Sequence, residues 1–423
     1  MEQSQHNINQ LTDHLFRHQS GKMVSVLTKI FGTEHLELAE DVVQDTLLKA
    51  METWKLKGVP ENPAAWLYRA AKNKAIDIIR RNKFSVQYDF SDNERTLLQS
   101  EYTLNTVMDS LWKEEVIEDD LLRMMFACCH PEISDEGQIT LILKTLCGFS
   151  TAEIAKSFLT SEDTISKRLY RTKAFFRERK IRPELPDSSV LKARTDAVLK
   201  AIYLIFNEGY NSTHSDELIR KDLLAQAMYL CKLLCTNQHT QLPEVYAAMA
   251  LMYFHGARID SRIGDEGEII LLSHQDRSKW DRELIDQGNT YMNMAAFGDD
   301  LSSYHIEAAI AFEHCAAERF EDTNWERILT YYDWLAKINP SAVVLLNRLT
   351  VIYKIYGADR ALDEIVSSDK RSEWEKHYLY HSLLGEIYTA TDKDIARKSF
   401  EKAIGLTQSA AERELLRKKI GRL

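Results

Sequence analysis

Residues 62–83, NPAAWLYRAAKNKAIDIIRRNK, leave the chain little choice of local structure. Asn62 can accept hydrogen bonds from the first unpaired N–H groups of a helix, and Pro63 falls at the first helical position, where a missing N–H costs nothing. Leu67, Ala71, Ala75, Ile78 and Ile79 then recur at the helical period on one face. Trp66, Arg69, Asn73, Asp77 and Arg80 share another face. The stretch holds six basic residues and one acid, a net charge of +5. A basic helix opening on an aromatic suits single-stranded nucleic acid, because cations follow phosphates and the ring stacks on an unpaired base. The pattern fits equally well a solvated helix with Trp66 in the core.

The rest of the chain extends the helical reading. Only 15 Gly and 7 Pro occur in 423 residues, which fits an all-α protein with short connections. The length suggests roughly two to four domains. There is no apolar run of about 18 residues, so no membrane span is expected. MEQSQHNINQ lacks the basic and apolar regions of a secretory signal, and a cytoplasmic location is expected. The net charge of −10 argues against a nucleic-acid binder until its distribution is read. From Ser85 to Asp120 ten acids face two bases, a net −8, whereas from Lys144 to Arg182 the balance is +6. Two basic helical segments therefore flank an acidic connector, and this asymmetry matters more than the total.

The six cysteines read as buried free thiols. Cys231 and Cys235 have a spacing that could hold a metal, but no second ligand pair stands nearby. No cofactor or metal is implied.

Helices are predicted over 8–31, 35–54 and 62–81, with 55–61 a loop. On the second of these, Ala39, Val43, Leu47 and Ala50 point inward while Asp41, Gln44 and Asp45 form the opposite face. Residues 85–115 read as a polar linker with a short helix near 104–112. Further helices are predicted over 117–128, 134–146, 151–158 and 162–178. Gly148 ends one, Ser150 and Glu153 form a capping box, and Ser161 caps the last, with Glu162 and Asp163 in its first turn. With Ile165 and Leu169 inward, Thr164, Lys167, Arg168 and Arg171 face out. This is the pattern of a helix-turn-helix, in which Arg168 could reach a guanine while Lys167, Arg171 and Lys173 hold phosphates. A plain solvated helix is the competing reading.

PELPD (183–187) marks a boundary, beyond which helix follows helix. In 381–406, Leu384, Gly385 and Tyr388, then Ala396, Phe400 and Ala403, match the small/large alternation of a tetratricopeptide repeat, although TDKD replaces the usual glycine at the turn. Two weaker copies precede it, one ending at Pro340 and one containing Gly357, Ala361 and Leu362. Such helix pairs present a groove to a protein or peptide, or simply form a helical cap.

Taken together, these parts resemble a bacterial sigma factor of the extracytoplasmic-function (ECF) group of the sigma-70 family. AEDVVQDTLLKA (39–50) is similar to the helix that binds core polymerase. NPAAWLYRAAKNKAIDIIRR (62–81) is similar to the −10 promoter helix, and GFSTAEIAKSFLTSEDTISKRLYRTKAFFRER (148–179) to the −35-reading helix-turn-helix. DDLLRMMFACCHPEISDEGQITLILKTL (119–146), NEGY (207–210), ALMYFHGAR (250–258), LLSHQDRSKWDRELIDQG (271–288) and YHIEAAIAFEHC (304–315) resemble a subgroup with a long C-terminal extension ending in tetratricopeptide-like repeats. Two departures are Glu307, where the subgroup has Gln, and the turn SFLTS (157–161), which lacks the common glycine.

The resemblance implies five segments: region 2 over 1–84, an acidic linker over 85–116, region 4 over 117–182, a helical extension over 187–320 and repeats over 321–423. Asp41, Gln44 and Asp45 would meet the β′ clamp helices of core RNA polymerase, which also offers its β flap. The loop 55–63 would capture a flipped base, and Trp66, Arg69, Lys72, Asn73, Arg80 and Arg81 would hold the melted −10 strand. Thr164, Lys167, Arg168, Arg171 and Lys173 would bind promoter DNA at −35. The linker would thread toward the active-site and RNA-exit channels, and the extension would regulate the protein or bind a partner. Such a protein does no chemistry itself.

Two other functions compete. One is a helix-turn-helix regulator with a peptide-sensing repeat domain, which leaves the 39–50 helix unexplained. The other is an enzyme in residues 190–320, where His255, Arg258, Asp276, Arg277, Asp281 and His314 could converge. A buried polar network is the simpler account, since no nucleophile motif or metal spacing accompanies them.

Overall fold

A computed structural model describes residues 2–82, 108–158, 160–211, 219–264, 268–298, 300–407 and 409–423, with side chains from residue 15 onward except that of Asn82. The linker expected over 85–116 lies mostly outside the described residues. The described residues are helical with no strand, apart from one isolated bridge between Ile263 and Ile269, so the fold is all-α. The chain divides into two compact units, residues 1–205 and 206–423.

The first unit opens with α1 (Glu2–Phe31), α2 (Leu36–Lys57) and α3 (Pro63–Asn82). The loop expected from Lys55 starts later, because α2 runs to Lys57 and Gly58 stops it at φ 81°, a conformation that favours glycine. At the start of α3, Asn62 Oδ1 accepts from the Ala65 N–H at 3.0 Å, the cap anticipated from sequence. Leu67, Ala71, Ala75 and Ile76 bury its apolar face, with Ile78 and Ile79 half-buried at its edge. Residues 108–111 are helical, inside the short helix expected near 104–112.

Next come α4 (Glu114–Cys128), α5 (Asp135–Leu141), α6 (Thr151–Ser157) and α7 (Glu162–Arg179). The helix expected over 134–146 changes form midway, and Ile142–Leu146 is a π-helical segment. Close packing accompanies that change: a Cβ on Gly21 of α1 would lie 1.9 Å from the Leu146 carbonyl oxygen. Only a residue without a side chain lets α1 approach the π segment so closely. Gly148 then turns the chain at φ 69°. The last element to begin in this unit is α8 (Ser188–Tyr210). All six cysteines of the protein are free and buried.

In the second unit, α9 (Lys221–Thr236), α10 (Pro243–Gly256), α11 (Arg282–Ala295) and α12 (Ser303–Ala316) pack together. α10 is buried along nearly its whole length, with Val245 to Met252 all below a tenth exposed. Its apolar circumference makes it a central helix with neighbours on several sides. Helices α13 (Trp325–Ile338), α14 (Ala342–Tyr356), α15 (Ala358–Ser367), α16 (Arg371–Trp374), α17 (Tyr378–Tyr388), α18 (Lys393–Leu406) and α19 (Ala410–Gly421) follow; α14 packs on α13, α15 and α17, and α18 on α17 and α19. Gly385 meets the Phe400 ring, to which an added Cβ would come within 2.4 Å. Ala396 and Ala403 flank Phe400 in the same small core.

Candidate nucleic-acid and protein interface

The site residues of α2 lie together on its outer side. Asp41, Gln44 and Asp45 are exposed, opposite a buried face of Ala39, Val42, Val43, Thr46 and Ala50. Leu48 and Met51 stand exposed beside them, at 59% and 55%. Sequence reading missed these two, although apolar residues off the inward stripe are its visible sign. An acidic and amide row flanked by exposed apolar side chains suits a protein partner more than solvent. Asp45 also pairs with Lys74 of α3, which ties the two helices.

On α3, Arg69, Asn73 and Arg81 are exposed, and Arg80 is exposed near Asp77, 3.9 Å away. Trp66 is half-buried, its ring edge-on to Trp54 at 5.5 Å, and Trp54 in turn lies 5.5 Å from Phe16. It therefore combines the two alternatives open in the sequence: one part belongs to an aromatic core, the rest reaches solvent. Lys72 is drawn to Asp109, an acid from the stretch preceding α4. Tyr68 donates to Gln19 at 2.6 Å and packs near Trp112.

The α6–turn–α7 pair carries the anticipated caps. Ser150 Oγ accepts from the Glu153 N–H at 3.1 Å, and Glu153 Oε2 accepts from the Ser150 N–H at 2.7 Å. Hydrogen bonds and the Arg17 cation hold the Glu153 carboxyl below its ordinary value despite burial, which pushes the other way. Ser161 Oγ accepts from the Thr164 N–H at 3.1 Å and exchanges a 2.8 Å hydrogen bond with the Thr164 hydroxyl, so Thr164 is half-buried rather than fully outward. Lys167 and Arg171 are exposed, Lys167 pairing with Asp163 at 2.6 Å, and Arg168 is half-buried. Tyr170, 69% exposed between them, adds an aromatic to this face that the sequence reading did not single out.

Lys173 has a different environment from its neighbours. It forms an ion pair with Glu40 of α2, both side chains about 15% exposed, at 15% and 14%. The Thr145 hydroxyl donates to the same carboxylate at 3.2 Å. Other bonds join α1 and its following turn to the later helices. Arg17 reaches Glu153 at 2.7 Å and lies 4.5 Å over the Phe149 ring. Lys22 pairs with Glu114, and the Thr33 hydroxyl donates to the Ile181 carbonyl. Lys29 pairs at 2.6 Å with Asp120, which is 2% exposed, and burial pushes that carboxyl up to about 6. In this arrangement Lys173 and Lys72 are engaged within the protein, while Lys167, Arg171, Arg69 and Arg81 face solvent.

The residues weighed as an enzymatic site separate into two groups. Asp276 and Asp281 are exposed helix caps, accepting from Ser278 N–H at 3.0 Å and Leu284 N–H at 3.1 Å. His255, Arg258, Arg277 and His314 do converge. No helix among the described residues is long and apolar enough to cross a membrane.

Comparison with known proteins agrees with this geometry. Residues 15–85 match the family model for sigma-70 region 2, and residues 194–296 match a family of unknown function, DUF6596. An uncharacterized protein of Rhizobium meliloti (strain 1021) is 33% identical over 92% of this chain and 90% of its own. The ECF RNA polymerase sigma factor SigL of Mycobacterium tuberculosis is 31% identical over 31% of this chain and 68% of its own. The RNA polymerase sigma factor YlaC of Bacillus subtilis is 28% identical over 33% of this chain and 76% of its own. No solved structure matches. With an exposed acidic–amide row on α2, a basic face on α3 and a relative such as SigL, the chain belongs to the sigma-70 family of RNA polymerase sigma factors.

Proposed function

We propose that this protein lends promoter specificity to core RNA polymerase through its first unit and that its C-terminal extension regulates that activity or recruits a partner. The carrying observation is the exposed acidic–amide row of α2 and the exposed basic residues of α3 inside the region 2 match, the two helices being tied by the Asp45–Lys74 pair. Asp41, Gln44 and Asp45 would receive charge-assisted hydrogen bonds from the β′ clamp helices, with Leu48 and Met51 adding apolar contact. Arg69, Asn73, Arg80 and Arg81 would track the melted −10 strand, and the solvent-facing part of Trp66 would offer a stacking surface. Thr164, Lys167, Arg168 and Arg171 would meet duplex DNA at −35, close to the β flap.

The internal pairs of Lys72 and Lys173 support reading this arrangement as a resting form. Lys173 serves DNA only once it leaves Glu40, and that separation also uncovers the side of α2 next to Asp41. Each such pair can be exchanged for a phosphate and a polymerase contact at little net cost, since ion pairs are interchangeable where both ends find new partners. In the extension, the tetratricopeptide-like region 321–423 would take a protein or peptide. A cavity of about 450 Å³ lined by Pro340, Arg348, Glu364, Lys370 and Trp374 lies within it. The alternative of a polymerase-independent regulator has no use for the α2 surface.

Promoter-specific transcription by purified core polymerase plus this protein tests the reading. A transcript that starts at a defined site and is lost on substituting Asp41 and Gln44 together with Ala is the expected result. Duplex binding without any polymerase association would instead favour the regulator.

A further inference from the structure

The second unit gathers three arginines in one cluster without a carboxylate ion pair. Arg258, just beyond α10, is 8% exposed. Its Nη2 donates to the Tyr210 hydroxyl at 2.7 Å and lies 3.5 Å from His255 Nδ1. Its guanidinium is 5.7 Å from the Trp280 ring centre, and that of Arg277, also 8% exposed, is 4.6 Å from the same ring. Arg262 sits 3.7 Å over the Tyr210 ring. Among the described residues, none of these three arginines forms an ion pair with a carboxylate, although Glu321 and Asp322 lie within electrostatic reach of Arg277; their direct partners are aromatic faces, the Tyr210 and Thr323 hydroxyls and backbone carbonyls.

Nearby histidines do not offset the charge. Burial, then the neighbouring arginines, drives His255 well below its ordinary value and His314 down to about 3, so both are neutral. Burying an unpaired cation is costly, and proteins normally supply a counter-charge. Three polar atoms in the cluster also lack any partner: Arg258 Nε, Trp280 Nε1 and His314 Nδ1. Each such buried orphan costs about 1–3 kcal/mol unless something meets it. The cluster is not sealed, since Tyr210, His255, Arg262 and His314 are only half-buried. Residues Ile259, Asp260 and Ile263, interleaved in sequence with Arg258 and Arg262, line a separate cavity of about 470 Å³ together with Ile219, Lys221 and Asp222; the arginines themselves do not line it.

We propose that this cluster is a binding site for the oxyanion group of a small molecule, a phosphate or a carboxylate, held by Arg258 and Arg262 with Arg277 behind them. Arginine presents a planar fork matched to two oxygens of such a group, and half-buried surroundings strengthen the pairing. The proposal does not depend on polymerase binding.

Isothermal titration of the full-length protein with inorganic phosphate and, separately, acetate tests it, with chloride at equal ionic strength as the reference. Saturable binding of phosphate points to a phosphoryl group, and saturable binding of acetate to a carboxylate. Either is expected to raise the unfolding midpoint with concentration. Arg258→Met is expected to weaken binding by at least about tenfold. Arg262→Gln, at a half-exposed position, should do likewise while leaving the fold intact, which covers the case in which the Arg258 variant does not fold. Arg171→Ala, on the DNA-facing helix, should leave the affinity unchanged. Absence of saturable binding of both anions up to about 20 mM would overturn the proposal, because a site of any use binds below that. Binding retained in both the Arg262→Gln variant and a folded Arg258→Met variant would overturn it equally, by locating the anion elsewhere.

Discussion

Two groups of buried cations, one in each unit, are held by opposite means, although the second unit also pairs its buried Arg220 with Asp222 at 2.8 Å. In the first, Lys22, Lys29 and Lys173 each pair with an acid, Glu114, Asp120 and Glu40, drawn from far along the chain. In the second, Arg258, Arg262 and Arg277 sit among aromatic rings and carbonyls. Paired charges can open at modest cost only where each ion meets a new partner. Unpaired buried cations have no such pair to open; they are stable only while the surrounding donors and rings hold them, and they favour whatever anion arrives.

The largest effect is expected where the second mode is broken. Arg277→Met removes the donor from the carbonyls of His314 and Ala317 and from the Thr323 hydroxyl. Urea unfolding should register a loss of about 4 kcal/mol, since buried acceptors left unpaired are expensive. A near-zero loss would mean that the arginine is tolerated in its pocket and not required by it.

The first mode can be probed by pH. Burial raises the Asp120 carboxyl from 3.8 to about 6, so the folded unit holds a proton that the unfolded chain releases. Its contribution is therefore fully present below about pH 4 and lost as pH rises through about 6, amounting to about 3 kcal/mol. Asp120→Asn should flatten that part of the stability–pH curve. An unchanged curve would show that Lys29 keeps the carboxylate ionised throughout.

Exposed charge should behave differently from both. Arg69→Ala with Arg81→Ala is expected to reduce promoter-specific transcription about tenfold while shifting stability by less than about 0.5 kcal/mol. A matching fall in stability would identify these arginines as structural. The smallest effect belongs to the exposed Lys167–Asp163 pair at 2.6 Å, where Asp163→Asn should change stability by at most about 0.5 kcal/mol.

Much of the local structure was legible in the chain. The Asn62 cap, the Ser150–Glu153 box, the Ser161 cap and the stop at Gly148 all rest on residues three or four apart, and each appears as read. The outward set Asp41, Gln44 and Asp45 follows from the helical period alone and is exposed. Other features depend on distant neighbours. Lys173 belongs to the same charged helix as Lys167 and Arg171, and nothing in its local sequence distinguishes it, yet Glu40, 133 residues away, takes it up. Trp66 could not be assigned to core or surface without Trp54. Asp276 and Asp281, tempting as catalytic acids, are caps of the segments they precede.

By itself, then, the sequence determined that this protein is helical, where the capped helices of the first unit begin, and which of their faces are charged, because capping and periodicity act over a single turn. Only the tertiary structure decided which of those charges are presented, which are paired and which are buried beside a ring. Desolvation and pairing depend on what packs against a side chain, and that neighbour is usually far away along the chain.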